Sequence, residues 1–292
     1  MLINRGMNVL VTQSGKMFLS MLIWPRFFAP YRWQLTRYDM PLRNLPKAFD
    51  GYKILQLSDF HLGRTRLSYI HHVIDTALAT RPDLVVITGD LIHYHPDGLA
   101  ELPATLKRIH ATDGVLAIFG NHDYHEYSWR HVGERSARRA IHKRLRRIVS
   151  EHGVKLLLNQ AHHVRRGSDQ FTVVGLDEMW TGRADPVHAF AGIQPNDPVI
   201  CLQHNPDGFT FLQDYPWQWM LCGHSHGGQA NFPILGPLYV PMEHPEWIRG
   251  FYHFEHPTFG HRTMFVSTGI GHSTPIRMRV PPEATLFTLR PA

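Results

Sequence analysis

Five short apolar runs in this chain each end in a residue able to ligate a metal, and that repetition constrains the fold more than any other feature. Lys53–Ser58 (KILQLS) runs into Asp59-Phe60-His61, and Leu84–Thr88 (LVVIT) into Gly89-Asp90. Val115–Phe119 (VLAIF) runs into Gly120-Asn121-His122-Asp123. Val199–Gln203 (VICLQ) leads to His204-Asn205, and Trp217–Cys222 (WQWMLC) to Gly223-His224-Ser225-His226-Gly227. Apolar runs this short read as strands covered on both faces. In an α/β sheet the carboxyl ends of the strands form the ligand-binding edge. Residues scattered from position 59 to position 226 are therefore expected in one cleft.

The rest of the chain fits that frame. Further strands are expected at Val154–Leu158, Phe171–Leu176, Met264–Thr268 and Thr285–Leu289, with an early one within residues 31–43 that Pro41 would end. Tyr69–Thr80, Leu99–Ala111 and Ser136–His152 read as helices. The pattern is α/β, one domain over residues 31–292, with two packed sheets flanked by helices. Residues 1–30 form a separate N-terminal segment.

The residue types suit two divalent ions. Carboxylate, imidazole and amide oxygen favour manganese, iron, zinc or magnesium over copper(I), which prefers sulfur. Asp59-x-His61 lets alternate residues at a strand end converge on one ion. Asp90 has two oxygens and can bridge two ions, and His224-x-His226 offers a ligand to each. Two ions about 3.5–4 Å apart can clamp the attacking and leaving oxygens of a phosphoryl displacement, with a hydroxide held between them as nucleophile. Taken singly, Asp59, Asp90 or His204 would read as a capping or turn residue. It is the complete set that points to a metal centre.

The set D-x-H, G-D, G-N-H-D, H and G-H-x-H, in that order, resembles the calcineurin-like metallophosphoesterases over residues 50–292. The resemblance implies a two-sheet α/β sandwich. It also implies Asp59, His61 and His226 on one metal, Asn121, His204 and His224 on the other, and Asp90 bridging. His122 would lie near the substrate phosphate, as general acid or as electrostatic stabiliser. Asp123 would orient His122 or cap a turn.

The flanks are similar to one bacterial branch of that family. GHSHGGQ, Pro233 to Pro237, Val266–Gly271 and Pro275–Glu283 look like membrane-associated phosphodiesterases and the UDP-2,3-diacylglucosamine pyrophosphatases of lipid A biosynthesis. One lipid A group has arginine where this chain has His122, which points away from that group. Purple acid phosphatases carry tyrosine three residues after the bridging aspartate. That position is His93 here, with Tyr94 one further on, which argues against a ferric site. Arg277 and Arg279 are expected either to meet phosphate or to lie on the surface.

Composition bears on partners. The formal net charge is +6, the pI near 9.4, and there are 22 histidines but only 2 cysteines. The charge fits a phosphate-rich partner or a merely soluble surface. Cys201 and Cys222 read as buried thiols, and no disulfide framework is present, which favours a reducing compartment. Residues 17–24 (MFLSMLIW) are apolar, but Pro25 and Arg26 cut the run short of the roughly 20 residues a span needs. A signal peptide is one alternative, with Arg5 and Lys16 ahead of the run, and packing on the domain is another. The preferred expectation is an interfacial anchor with Phe18, Leu22, Trp24, Phe27 and Phe28 among the headgroups.

Residues 130–147 form the most basic stretch: Arg130, Arg135, Arg138, Arg139, Lys143, Arg144, Arg146 and Arg147 against Glu134. With Ala137, Ile141, Leu145 and Ile148 at helical spacing, it reads as a helix with one apolar and one basic face. The basic face suits anionic lipid, at about 1 kcal/mol per residue, better than nucleic acid, since no second basic stripe exists; a solvated helix capping the domain edge is the other alternative.

The expected function is thus hydrolysis of a phosphodiester or pyrophosphate bond by a two-metal centre, manganese foremost. The substrate would be lipid-linked or a nucleotide sugar, and the enzyme cytoplasmic, peripheral to the inner membrane. A nuclease or general phosphodiesterase of the same chemistry is the alternative. A non-enzymatic scaffold would have lost ligands, and none is missing.

Overall fold

The computed structural model describes residues 19–93, 96–124, 135–232, 236–237 and 240–292, with side chains described from residue 23 and, in the segment that begins at 135, from residue 139. A π-type helix, Leu19–Phe28, leads into β1 (Gln34–Leu42) and β2 (Lys53–Leu57). Then α1 (Leu67–Leu78), β3 (Leu84–Thr88), α2 (Pro96–Leu106) and β4 (Val115–Ile118) alternate. The single-turn α3 (Asn121–Tyr124), α4 (Arg135–Glu151) and β5 (Val154–Leu156) follow. Next come β6 (Gln160–Arg166), β7 (Asp169–Gly175), α5 (Pro186–Ala189), β8 (Val199–Leu202), α6 (Phe209–Leu212) and β9 (Trp219–Cys222). A small ribbon, β10 (Asn231–Phe232) with β11 (Gly236–Pro237), precedes β12 (Gly250–His256), β13 (Gly260–Val266) and β14 (Glu283–Pro291).

The strands form two six-stranded sheets, β1-β14-β2-β3-β4-β5 and β12-β13-β9-β8-β7-β6. Within them β2, β3, β4 and β5 run parallel, as do β7, β8, β9 and β13. Side-chain alternation explains why both sheets are covered twice. Ile54, Leu84, Val86, Leu116 and Ile118 face Phe171, Ile200, Leu202 and Leu221 between the sheets. Their neighbours Leu55, Leu57, Val85 and Ile87 pack under Ile70, Val73, Leu102 and Leu145 of the helices. On the far face of the second sheet Cys201, Met220 and Cys222 pack with Phe190 and Trp217. Strands buried on both faces carry unbroken apolar runs, so this α/β sandwich was legible from the sequence.

The differences lie at the edges. β6 (QAHHVRR) and β12 (GFYHFEH) were not expected as strands; both are outer strands with largely unburied side chains, so their sequences are polar. Pro41 does not end β1, which continues to Leu42. Proline lacks the donor N–H a central strand needs, and β1 is an outer strand. In α4, Leu145, Ile148 and Val149 are buried while Arg139, Lys143, Arg144, Arg146 and Arg147 are exposed. Its apolar face is therefore spent on the core. Arg130, Glu134, Tyr94, Pro233, Arg5, Lys16 and Phe18 lie outside the described residues, as do the side chains of Leu22, Arg135, Ala137 and Arg138.

Candidate metal centre

The carboxyl ends of β2, β3, β4, β8 and β9 meet at one edge, stitched by backbone bonds within each sheet and by a backbone-to-side-chain bond between the sheets. Asp59 N–H donates to Gly89 O (3.0 Å), His61 N–H to Asp90 O (3.1 Å) and Gly223 N–H to His204 O (2.9 Å). His224 N–H crosses to Asp59 Oδ1 (3.1 Å), and His122 N–H to Asp90 Oδ1 (2.9 Å). Asp59, His61, Asp90, His224 and His226 all have positive φ, between 47° and 71°. That left-handed region costs a side-chain-bearing residue about 1–2 kcal/mol. Such strain gathers where geometry serves function. The glycines are there for room: a Cβ on Gly120 would fall on Asp90 Oδ1, and one on Gly89 would lie 2.5 Å from His204 Nδ1.

Ring direction can be read from fixed partners. His204 Nδ1–H donates to Thr88 O (2.7 Å), which turns Nε2 to Asp90 Oδ2 at 3.2 Å. His224 Nε2–H donates to Pro241 O (3.2 Å), which turns the lone pair of Nδ1 toward Asn121 Oδ1 at 2.9 Å. His61 and His226 stack at 4.8 Å with their Nε2 atoms 2.8 Å apart, and His226 Nε2 lies 3.6 Å from Asp59 Oδ1. Asp59 Oδ2 is buried and meets no hydrogen-bond partner. Acceptors facing acceptors inside a protein call for a cation. Three groups, Asp59–His61–His226, Asp59–Asp90–His204 and His61–His93–His122, each bring their potential ligand atoms within 4.8 Å of one another. These residues fit a pair of divalent ions.

Charge follows burial. Desolvation pushes His61 and His226 well below the usual histidine value, His224 down to about 4 and His122 to about 3. Neutral imidazole is the form that ligates. His204 is the exception. Burial opposes its charge, but the Asp90 carboxylate raises it to about 10, and Asp90 in turn is held ionised. Asp59 is raised to about 6 by burial, with the neighbouring Asp90 adding to the rise.

Of the neighbours, Asp123 and Arg279 meet one of the two alternatives the sequence offers, whereas Arg277, His93 and Trp180 take places it did not indicate. Asp123 caps: its oxygens accept Gly120 N–H (2.9 Å) and Ile92 N–H (3.1 Å), joining two ligand loops. Arg277 neither lies at the surface nor faces a free phosphate position. It is wholly buried and donates to Thr268 O (2.8 Å) and Gly271 O (2.7 Å), with Nη2 also 3.2 Å from His226 Nδ1. An arginine in an exposed-looking PIRMRV run gave no signal of this. Arg279 is exposed. His93 was noted only for not being tyrosine; its Nδ1 lies 3.1 Å from His61 Nδ1. Trp180, in the loop after β7, stands edge-on to His224 at 4.7 Å, held by Glu178, which accepts Trp180 N–H (3.1 Å) and Thr181 N–H (2.8 Å).

A sandwich of this kind with a histidine–aspartate cluster at its strand ends defines a metallophosphoesterase, and comparison with known proteins agrees. The sequence profile of the calcineurin-like phosphoesterases matches residues 52–228, and the chain belongs to that family. It is 30% identical to phosphodiesterase YaeI of Escherichia coli over 82% of each chain. It is 31% identical to the UDP-2,3-diacylglucosamine pyrophosphatase LpxG of Chlamydia trachomatis, over 91% of this chain and 92% of that one. Among solved structures, the phosphopantetheinyl hydrolase PptH of Mycobacterium tuberculosis covers 77% of this chain and 92% of its own at TM-score 0.44 and 11% identity, too loose a likeness to build on. The chain is accordingly a metal-dependent phosphoesterase of a family that uses a dinuclear metal centre, which the cluster fits.

Proposed function

We propose that the chain hydrolyses a phosphodiester or pyrophosphate bond in a lipid-linked or nucleotide-sugar substrate at the membrane face. Asp59, His61 and His226 would hold one divalent ion, Asn121, His204 and His224 the other, with Asp90 between them. The observation that carries this reading is the lone pair of His224 Nδ1 facing Asn121 Oδ1, its ring direction set by the Pro241 carbonyl, beside a buried Asp59 Oδ2 that meets no hydrogen-bond partner. The hard-to-borderline donor set favours manganese. Two bound ions supply Lewis acidity and a nucleophile competent at neutral pH.

The remaining work falls to side chains. His122 is half-buried, its backbone N–H tied to Asp90 Oδ1, and its ring packs edge-on to His61 at 4.6 Å. Burial keeps that ring neutral, with a pKa of about 3, so it suits the role of N–H donor to a phosphoryl oxygen better than that of proton source. Trp180 would wall one side of the cleft.

The lipid-linked reading has two supports. One relative at 31% identity is named for a diacylated nucleotide sugar. The other is the aromatic ridge of Trp24, Phe27 and Phe28, which are 42%, 58% and 51% exposed, with Arg26 over the ring of Phe27 and Arg32 over that of Trp24. We place residues 1–30 as a membrane-associating segment on the cytoplasmic side. Among the described residues no helix is long and apolar enough to cross a membrane. The test is a comparison, with manganese, of UDP-2,3-diacylglucosamine and bis(p-nitrophenyl) phosphate as substrates. Preferential cleavage of the lipid-linked pyrophosphate supports the proposal. Cleavage of the simple diester alone leaves a general phosphodiesterase and removes the lipid.

A further inference from the structure

His61 is fully buried, and its two ring nitrogens face opposite ways. Nε2 points into the cluster, 2.8 Å from His226 Nε2 and 3.7 Å from Asp90 Oδ2. Nδ1 points out of it, 3.1 Å from Nδ1 of His93. A neutral imidazole that offers Nε2 to an ion carries its proton on Nδ1 and needs an acceptor there. We infer that His93 is that acceptor: a positioning residue that fixes the tautomer and ring orientation of His61, and so sets the metal affinity of the Asp59–His61–His226 site.

The backbone holds His93 in place for this. Its N–H donates to Leu62 O (3.0 Å), and Leu62 pairs with Ile92 in a parallel bridge, so His93 is anchored to the residue that follows His61. The ring also stacks on His122 at 4.7 Å and 27°, so one side chain braces both a proposed ligand and the proposed phosphate-facing histidine. A chain of donors then runs one way. Arg277 can only donate, so His226 Nδ1 accepts from it; in the metal-free protein His226 Nε2–H faces His61 Nε2, and His61 Nδ1–H faces His93. Metal-bound histidines more often face a carboxylate, a backbone carbonyl or water. A neutral imidazole in that place is a choice this chain makes.

The inference rests on the metal-centre reading above, and two substitutions of equal size separate it from mere packing. His93→Asn puts an oxygen where Nδ1 now lies, and His93→Leu puts a methyl there. Metal-stripped wild type and variants are titrated with manganese by calorimetry. Loss of the hydrogen-bond partner of His61 Nδ1 should weaken the site 10–100-fold in His93→Leu, while His93→Asn stays within about threefold of wild type. Equal affinities in all three proteins, or equal losses in both variants, would overturn the inference. If His93→Leu does not fold, ring nitrogen spectra of the wild type decide. A scalar coupling across the hydrogen bond between His61 Nδ1 and His93 Nδ1 supports the pair, and its absence contradicts it. The wild-type titration reports separately on the metal centre, whereas the coupling reads the pair with or without an ion.

Discussion

The guanidinium of Arg277 lies against the ring of His226, Nη2 to Nδ1 at 3.2 Å, and both are inside the protein. Among the described residues no carboxylate accepts a hydrogen bond from this cation; its donors reach the backbone carbonyls of Thr268, Gly269, Gly271 and His226. Its own backbone N–H donates to Pro25 O (2.8 Å), so one residue ties the N-terminal aromatic segment to the proposed metal centre. Arg277→Met should strand the Thr268 and Gly271 carbonyls and destabilise the protein by about 2–4 kcal/mol in urea unfolding. Arg277→Lys should recover less than half of that, because an ammonium lacks the planar fork. Full recovery by lysine would show that charge alone matters there.

Gly120→Ala tests the close packing of the strand-end loops. The added Cβ would fall on Asp90 Oδ1 and 2.6 Å from His204 Nε2, so Asp90 must move. A displacement of about 1 Å at a reacting centre can cost about 100-fold in rate. The expected result is a loss of that order in manganese-dependent hydrolysis, with the melting temperature little changed and fewer ions retained after dialysis.

The Asp90–His204 pair predicts a pH effect. Burial disfavours charge on His204, yet Asp90 raises its pKa to about 10, so the metal-free protein holds it protonated at pH 7.5. Ligation needs the neutral ring, so metal uptake must release that proton. Calorimetric titrations in buffers of differing ionisation enthalpy should show release of about one proton per chain or more. Apparent affinity should rise with pH up to about 10. A pH-independent affinity would place His204 outside the centre.

Membrane docking is read by flotation. Full-length chain should float with vesicles containing phosphatidylglycerol more than with phosphatidylcholine alone. Replacing Trp24, Phe27 and Phe28 by alanine should cut binding at least tenfold, since about 25 cal/mol is lost per Å² of apolar area withdrawn from the bilayer. Undiminished binding by the triple variant would move the docking surface elsewhere, with the exposed arginines of α4 next in line.

How much of this the sequence carried can be traced residue by residue. The paired sheets and the strand ends were readable because β2, β3, β4, β8 and β9 are buried on both faces, so apolar run and polar stop coincide. The clustering of Asp59, His61, Asp90, Asn121, His122, His204, His224 and His226 follows from that arithmetic alone. Edge strands β6 and β12 were opaque because solvent covers one side of them and blurs the pattern. Arg277 and His93 were opaque for another reason: their partners, His226 and His61, lie 51 and 32 positions away. No local rule links a buried cation or an acceptor imidazole to a contact made only after folding.

The central claim is that Asp90 sits between two ions that drive hydrolysis. It is tested most directly by assaying bis(p-nitrophenyl) phosphate hydrolysis with added manganese in wild type and Asp90→Asn. Activity that requires manganese in the wild type and falls by about 1,000-fold or more in the variant, as expected when several kcal/mol of transition-state stabilisation is lost, is the predicted result. A folded Asp90→Asn protein that keeps wild-type turnover would contradict the account.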